Sequence, residues 1–116
     1  MILAVDDEPL NLLIIKELFE DTHEIVTVES GEEALLELEK NVPDIILLDV
    51  MMPGINGIKV CEKVRSMPEM KNVKVIMISG SVMESEVSAG LAAGADDYIC
   101  KPFDMNELVN LVDSYS

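Results

Sequence analysis

The sequence predicts an α/β domain: a doubly wound, five-stranded parallel sheet in the flavodoxin-like order 2-1-3-4-5, with helices on both faces. Three observations predict it. Apolar runs of four to six residues alternate five times with stretches of helical periodicity, the pattern of strands joined by crossover helices. The third and fourth runs, Asp44–Asp49 and Val73–Ser79, are the most continuously apolar, as strands covered on both faces are. Right-handed crossovers leave few topologies for five parallel strands, and 2-1-3-4-5 is the commonest of them.

Each element has its own reason. The first strand is read over Ile2–Asp6. Pro9 suits a first helical turn, after which Leu10, Leu13, Ile14, Glu17 and Leu18 keep a mostly apolar stripe at helical spacing. Glu24–Val28 is short and more polar, so it is read as an edge strand. Ser30 with Glu33 forms a capping box that opens the second helix. The third strand, Asp44–Asp49, runs out into the turn residues Pro53 and Gly54. A third helix follows over Gly57–Arg65, with Ile58, Cys61 and Val64 on one side. After the fourth strand, Val73–Ser79, the fourth helix spans Glu84–Ala92. Gly90 alone costs it about 1 kcal/mol relative to alanine, so it is expected to be the least rigid helix. Asp97–Cys100 is the fifth strand, and Asp104 with Glu107 opens the last helix.

With 116 residues the chain is long enough for one buried core and is read as a single domain over 1–116. Hydrophobic residues make up 49% of it, which argues against disorder. No apolar segment reaches the roughly 18 residues that span a bilayer, and no basic-then-apolar leader is seen. A soluble, cytoplasmic product without membrane association is therefore expected. Twenty-three acidic residues against eight basic ones give a formal charge of -15, which opposes direct binding of nucleic acid through its phosphates. Cys61 and Cys100 lack metal-ligand spacing and are read as free thiols of a reducing compartment. His23 is expected to be solvated, the eight methionines to fill gaps, and the acidic residues of the first two helices to form a solvated face.

The chemistry lies at the strand ends. Asp6 and Asp7 close the first strand, Asp49 the third, and Lys101 follows the fifth. In the order 2-1-3-4-5 strands one and three are neighbours, so the three carboxylates converge at the carboxyl edge of the sheet, in the crevice where such folds bind ligands. Carboxylates gathered this closely either raise their pKa values or hold a cation. Mg²⁺, with its preference for oxygen ligands, is the expected ion, with Asp7 and Asp49 as direct ligands and Asp6 acting through water. Neutralised in this way, Asp49 becomes a nucleophile toward a phosphoryl donor, assisted by the Lys101 ammonium, and Ser79 offers a hydroxyl to a phosphoryl oxygen beside the small Gly80.

At this point the residues match a family. Val5-Asp6-Asp7-Glu8, Leu48-Asp49-Val50-Met51-Met52-Pro53-Gly54 with Gly57, Ile78-Ser79-Gly80, and Ala93-Gly94-Ala95-Asp96-Asp97-Tyr98 running into Lys101-Pro102-Phe103 resemble the CheY-like receiver domain of two-component response regulators over essentially the whole chain. The resemblance implies Asp49 as the phosphorylation site, Asp6, Asp7 and Asp49 with the Met51 carbonyl around Mg²⁺, and Ser79, Gly80 and Lys101 at the phosphoryl group. It makes Ser79 and Tyr98 a switch pair, and the Lys101–Pro102 bond cis. Two departures are noted: the position of Ser79 is often threonine in the family and that of Gly80 often alanine.

The implied function is a signalling module rather than an enzyme, catalysing only its own phosphorylation and dephosphorylation. A sensor histidine kinase or histidine phosphotransfer protein phosphorylates Asp49. The surface of the fourth helix, fifth strand and fifth helix then controls an effector protein or output domain. Val82, Met83 and Val87 offer a face for a phosphorylation-dependent dimer. The main rival is a Mg²⁺-dependent phosphohydrolase with an aspartyl nucleophile. Such enzymes usually place a second acidic residue two positions on, where this chain has Met51, and they need room for a cap. A nucleotide or flavin binder is disfavoured because neither GxxxxGK[ST] nor GxGxxG occurs. A receiver-like scaffold that no longer takes phosphate is disfavoured by the acidic cluster and Lys101.

Overall fold

The computed structural model describes residues 1–80 and 84–115, with Glu84 described by its backbone alone. Strands β1 (Ile2–Val5), β2 (Ile25–Val28), β3 (Ile45–Asp49), β4 (Lys74–Ser79) and β5 (Asp97–Cys100) alternate with helices α1 (Pro9–Phe19), α2 (Gly31–Lys40), α3 (Gly57–Ser66), α4 (Glu84–Ala92) and α5 (Met105–Tyr115). The strands pair in parallel in the order β2-β1-β3-β4-β5, as the sequence predicts, with β2 at one edge and β3 in the centre. The expected strands overrun at Asp6, Glu24, Asp44 and Val73 by one residue each. At three of these the flanking backbone still bonds across the sheet, as when Asp6 N–H donates to Val28 O at 3.2 Å and Asp44 N–H to Met1 O at 2.9 Å.

The alternation of side chains along each strand divides the core in two. Leu3, Val5, Ile46, Leu48, Val75 and Met77 face α2 and α3, where Ala34, Leu38, Val60, Cys61 and Val64 cover them. Ile2, Ala4, Ile45, Leu47, Ile76, Ile78 and Ile99 face the other way, onto Leu12, Ile15 and Phe19 of α1 and Leu108 and Val112 of α5. Burying each such aliphatic side chain contributes about 1.5–3 kcal/mol. Among the described residues, Met52, Met70 and Met77 are buried here, and Met51 and Met105 are exposed.

Of the stripe expected on α1, only Leu18 packs against the core, and it does so half-buried. Leu10 and Leu13 are exposed, and the helix packs through Leu12, Ile15 and Phe19 instead. The helix is apolar nearly all round, so two stripes share helical spacing, and contact with β1 and α5 selects between them.

Caps explain where the helices begin. Ser30 Oγ accepts Glu33 N–H at 3.1 Å, while the Glu33 carboxylate reaches back to Glu29 N–H at 2.8 Å. Asp104 Oδ1 accepts Asn106 and Glu107 N–H at 2.8 and 3.1 Å. Asn56, which the sequence reading passed over, caps α3 by accepting Lys59 N–H at 3.0 Å. Each such cap contributes about 1 kcal/mol.

His23, expected to be solvated, is half-buried with its ring edge-on to Phe19 and Nδ1 2.9 Å from Thr22 Oγ1. Neither Cys61 nor Cys100 is in a disulfide. Burial pushes the Cys61 thiol up to about 11, so it is a packing group rather than a nucleophile. Of the residues expected to form a dimer face, Val87 is half-buried, and Val82 and Met83 lie outside the described residues. Among the described residues, no helix is long and apolar enough to cross a membrane.

Candidate functional site

Strand parity builds the site. In β1 and β3 the residues of the α1 and α5 face are Ile2 and Ala4, and Ile45 and Leu47. One step further along the same parity stand Asp6 and Asp49. In β5, Ile99 is followed with the same parity by Lys101. Three charged groups therefore cap one apolar ladder where the strands run out, held by the core beneath them.

The distances agree with this placement. Lys101 Nζ donates to Asp6 Oδ2 at 3.0 Å and lies 3.5 Å from Asp49 Oδ2. Asp6 Oδ1 accepts Glu8 N–H at 2.9 Å, and Asn11 Nδ2 reaches Asp6 Oδ2 at 3.3 Å. Asp49 Oδ1 accepts Met51 N–H at 3.3 Å. Oxygens of Asp6, Asp7 and Asp49 lie within 4.8 Å of one another, with Asp6 and Asp49 buried and Asp7 exposed. This is a set of hard oxygen donors, two of them desolvated, of the kind that suits a divalent cation.

The electrostatics point the same way. Burial, and then the neighbouring Asp6 charge, push the Asp49 carboxyl up from 3.8 to about 7, against the opposing pull of Lys101. Lys101 is itself partly desolvated, which disfavours its charge. Its hydrogen bond to Asp6 and the Asp49 charge outweigh that burial and raise its pKa. One cation thus serves two buried carboxylates, and a second positive charge has a place in the cluster.

Asp7, Asp49, Met51, Gly80 and Lys101, with Glu8 and Glu86, line a cleft of about 430 Å³ at this edge. Ser79 is fully buried at the end of β4, level with Cys100 of β5, and its carbonyl accepts Lys101 N–H at 2.7 Å. Beside it, no atom of the described residues lies within 4 Å of a Cβ placed at Gly80. Tyr98 is two residues back from Cys100, level with Met77, and packs half-buried on the α2 and α3 side of the sheet. Its ring lies against α4 at Gly90, where a Cβ would be 3.4 Å from the ring and 2.6 Å from Met77 Sδ. Gly90, read from sequence as a weak point of the helix, lets α4 lie close to the sheet. The Lys101–Pro102 peptide is cis.

Two features were not found from sequence, one beside the cleft and one at the opposite edge of the sheet. Glu32 of α2 accepts Ile55 N–H at 2.9 Å in the loop that follows Asp49. Arg65 of α3 donates to Gly94 O, Val73 O and Asp96 Oδ2 at 2.8, 2.8 and 2.7 Å, and Asp96 Oδ2 also accepts Val75 N–H at 2.8 Å. The sequence gives no signal for either beyond the residue types.

Residues 2–113 match the protein family described as the response regulator receiver domain. Among curated proteins, the chain is 40% identical over 104 residues to the phosphate regulon transcriptional regulatory protein PhoB of Rhizobium meliloti, covering 90% of this chain and 46% of that protein. It is 37% identical to the signal transduction histidine-protein kinase BarA of Shigella flexneri, covering 98% of this chain and 12% of that one. The chain thus spans less than half the length of these relatives. Among solved structures, a putative response regulator from Chloroflexus aurantiacus superposes with a TM-score of 0.92 at 36% identity, over 98% of this chain and 94% of that one.

Proposed function

This chain belongs to the response regulator receiver domain family of two-component signalling, and from that premise we propose that Asp49 is its phosphoacceptor and that residues 1–116 form one receiver domain. The observation that carries the reading is the junction of Asp6, Asp7 and Asp49 within 4.8 Å, with Lys101 bridging two of them.

Asp6, Asp7 and Asp49 are the side chains to hold Mg²⁺, with the Met51 carbonyl as a backbone ligand. The ion, when bound, neutralises charge between the carboxylates and the incoming phosphoryl oxygens. The protein's own groups do the rest. An Asp49 carboxylate oxygen attacks the phosphorus of a phosphohistidine, the P–N bond breaks, and the imidazole leaves with its electron pair. Lys101 turns its ammonium from Asp6 toward the transferred group. The Ser79 hydroxyl donates to a phosphoryl oxygen, and Gly80 leaves room beside it. Tyr98, packed against Gly90, responds to the displacement of Ser79 and alters the surface of α4, β5 and α5. A swing from 1:99 to 99:1 between two states takes about 5.5 kcal/mol, within reach of a few charge-assisted contacts in a desolvated crevice.

The partners are a histidine kinase or histidine phosphotransfer protein upstream and an effector protein or output domain downstream, in the cytoplasm, with dephosphorylation catalysed by the same site. The likeness to a transcriptional regulator and to a receiver within a histidine kinase supports both directions. The test is treatment with acetyl phosphate, with and without Mg²⁺, followed by intact mass. A single phosphoryl addition that needs Mg²⁺ and disappears in Asp49→Asn is expected, and labelling that persists in that variant refutes the assignment.

A further inference from the structure

The loop of residues 50–56 starts at Asp49 and carries Met51, so its position decides where the Met51 carbonyl stands. Its base is closed by Gly57 N–H donating to Val50 O at 3.1 Å. At Gly57 the backbone presses on β3 so closely that a Cβ would lie 2.4 Å from Asp49 O. The far end of the loop is held from outside, by the first turn of α2. Glu32 Oε1 accepts Ile55 N–H at 2.9 Å. At Gly54, with φ +76, a Cβ would stand 2.6 Å from the same oxygen, and at Gly31 one would stand 2.5 Å from Ile55 O. Two bare residues thus let a carboxylate and a helix start lie directly on the loop backbone. The bond to Ile55, and then Glu32's own N–H, hold this carboxyl below the usual range. Glu32 is exposed, so its side chain does not act by filling the core.

We propose that Glu32 is a positioning residue for the metal centre: by fixing Ile55 it holds the loop so that the Met51 carbonyl is presented to the cation of Asp6, Asp7 and Asp49. The inference rests on the magnesium reading given above. Outer-shell groups of this kind set the orientation of ligands that they do not themselves join.

The test compares Glu32→Ala with Glu32→Gln by calorimetric titration with MgCl₂ and by hydrogen exchange of the metal-free proteins. Gln keeps the accepting oxygen and removes the charge. Affinity in Glu32→Ala is expected to fall about tenfold, the lower end for outer-shell partners. Glu32→Gln should bind like wild type, and the Ile55 amide should exchange faster in the alanine variant alone. Undiminished affinity in Glu32→Ala overturns the proposal. Equal weakening in both variants also overturns it, because distant charge rather than the bond is then responsible. Wild type that binds no Mg²⁺ overturns the magnesium reading, and the proposal with it.

Discussion

The Lys101 ammonium sits 3.0 Å from Asp6 Oδ2, closer than the 3.5 Å that separates it from Asp49 Oδ2. Its main partner is therefore the carboxylate beside Asp49, the proposed phosphoacceptor. Lys101→Ala is expected to leave that pair of carboxylates without a resident cation and to slow acetyl phosphate labelling by about 10²-fold, the order seen when one charge-stabilising donor is removed from a reacting centre. A labelling time course followed by intact mass checks this, and a wild-type rate in the variant excludes the lysine from phosphoryl transfer.

Asp49 makes stability depend on pH. Its carboxyl is raised from 3.8 to about 7, so the folded metal-free protein binds this proton more tightly than the unfolded chain does. The associated stability is complete below the unfolded value and is lost as pH rises through about 7. Asp49→Asn does not titrate here. Without Mg²⁺ it should be more stable than wild type at about pH 8, by on the order of 3 kcal/mol, with the gap closing toward about pH 4. Mg²⁺ should raise the stability of wild type and do much less for the variant. Urea unfolding across this range is the measurement, and parallel curves count against a desolvated Asp49.

Two glycines by the cleft differ in what they tolerate. A Cβ at Gly57 meets Asp49 O at 2.4 Å and Val50 Cα at 2.8 Å, all rigid backbone. Gly57→Ala should cost about 2 kcal/mol or more and disturb Mg²⁺ binding. At Gly80 no atom of the described residues lies within 4 Å of such a Cβ. Gly80→Ala should change stability by less than about 0.5 kcal/mol. Thermal unfolding of the two variants side by side decides, and equal losses contradict the packing described.

Arg65 ties three segments together through one guanidinium, with side-chain exposures of 24% for Arg65 and 28% for Asp96. Arg65→Met keeps most of the stem, leaves the Asp96 carboxylate with the Val75 N–H but no cation, and removes the donor to two carbonyls. A loss of about 2–3 kcal/mol is expected. A double-mutant cycle with Asp96→Asn should show coupling above about 1 kcal/mol. Additive losses point instead to the carbonyl bonds alone.

What could be seen in the sequence follows from its physical range. Strand ends announce themselves by apolar runs, and their terminal Asp6, Asp49 and Lys101 could be joined because parallel topology puts all strand ends on one edge. Ser30 and Asp104 were legible because a cap bonds within three residues of itself. Glu32 acts across 23 residues onto a backbone N–H, and Arg65 across 29 and 31 residues onto the Gly94 carbonyl and the Asp96 carboxylate, which no local pattern encodes. Glu32 accordingly read as one more member of a solvated face. The first helix went wrong for a different reason: with apolar residues nearly all round, only the neighbours choose the buried side.

The Arg65 bonds to Gly94 and Asp96 pin the tail of α4 at the sheet edge opposite Asp49. The head of that helix lies toward the edge where Ser79 ends β4. A rod fastened at one end can only swing, and its travel grows with distance from the fulcrum. Over nine residues, about 13 Å, a tilt of roughly 10° carries the head about 2 Å while the tail stays still. In the switch proposed above, a small event near Ser79 is thereby geared up into a movement of about 2 Å at the head of α4.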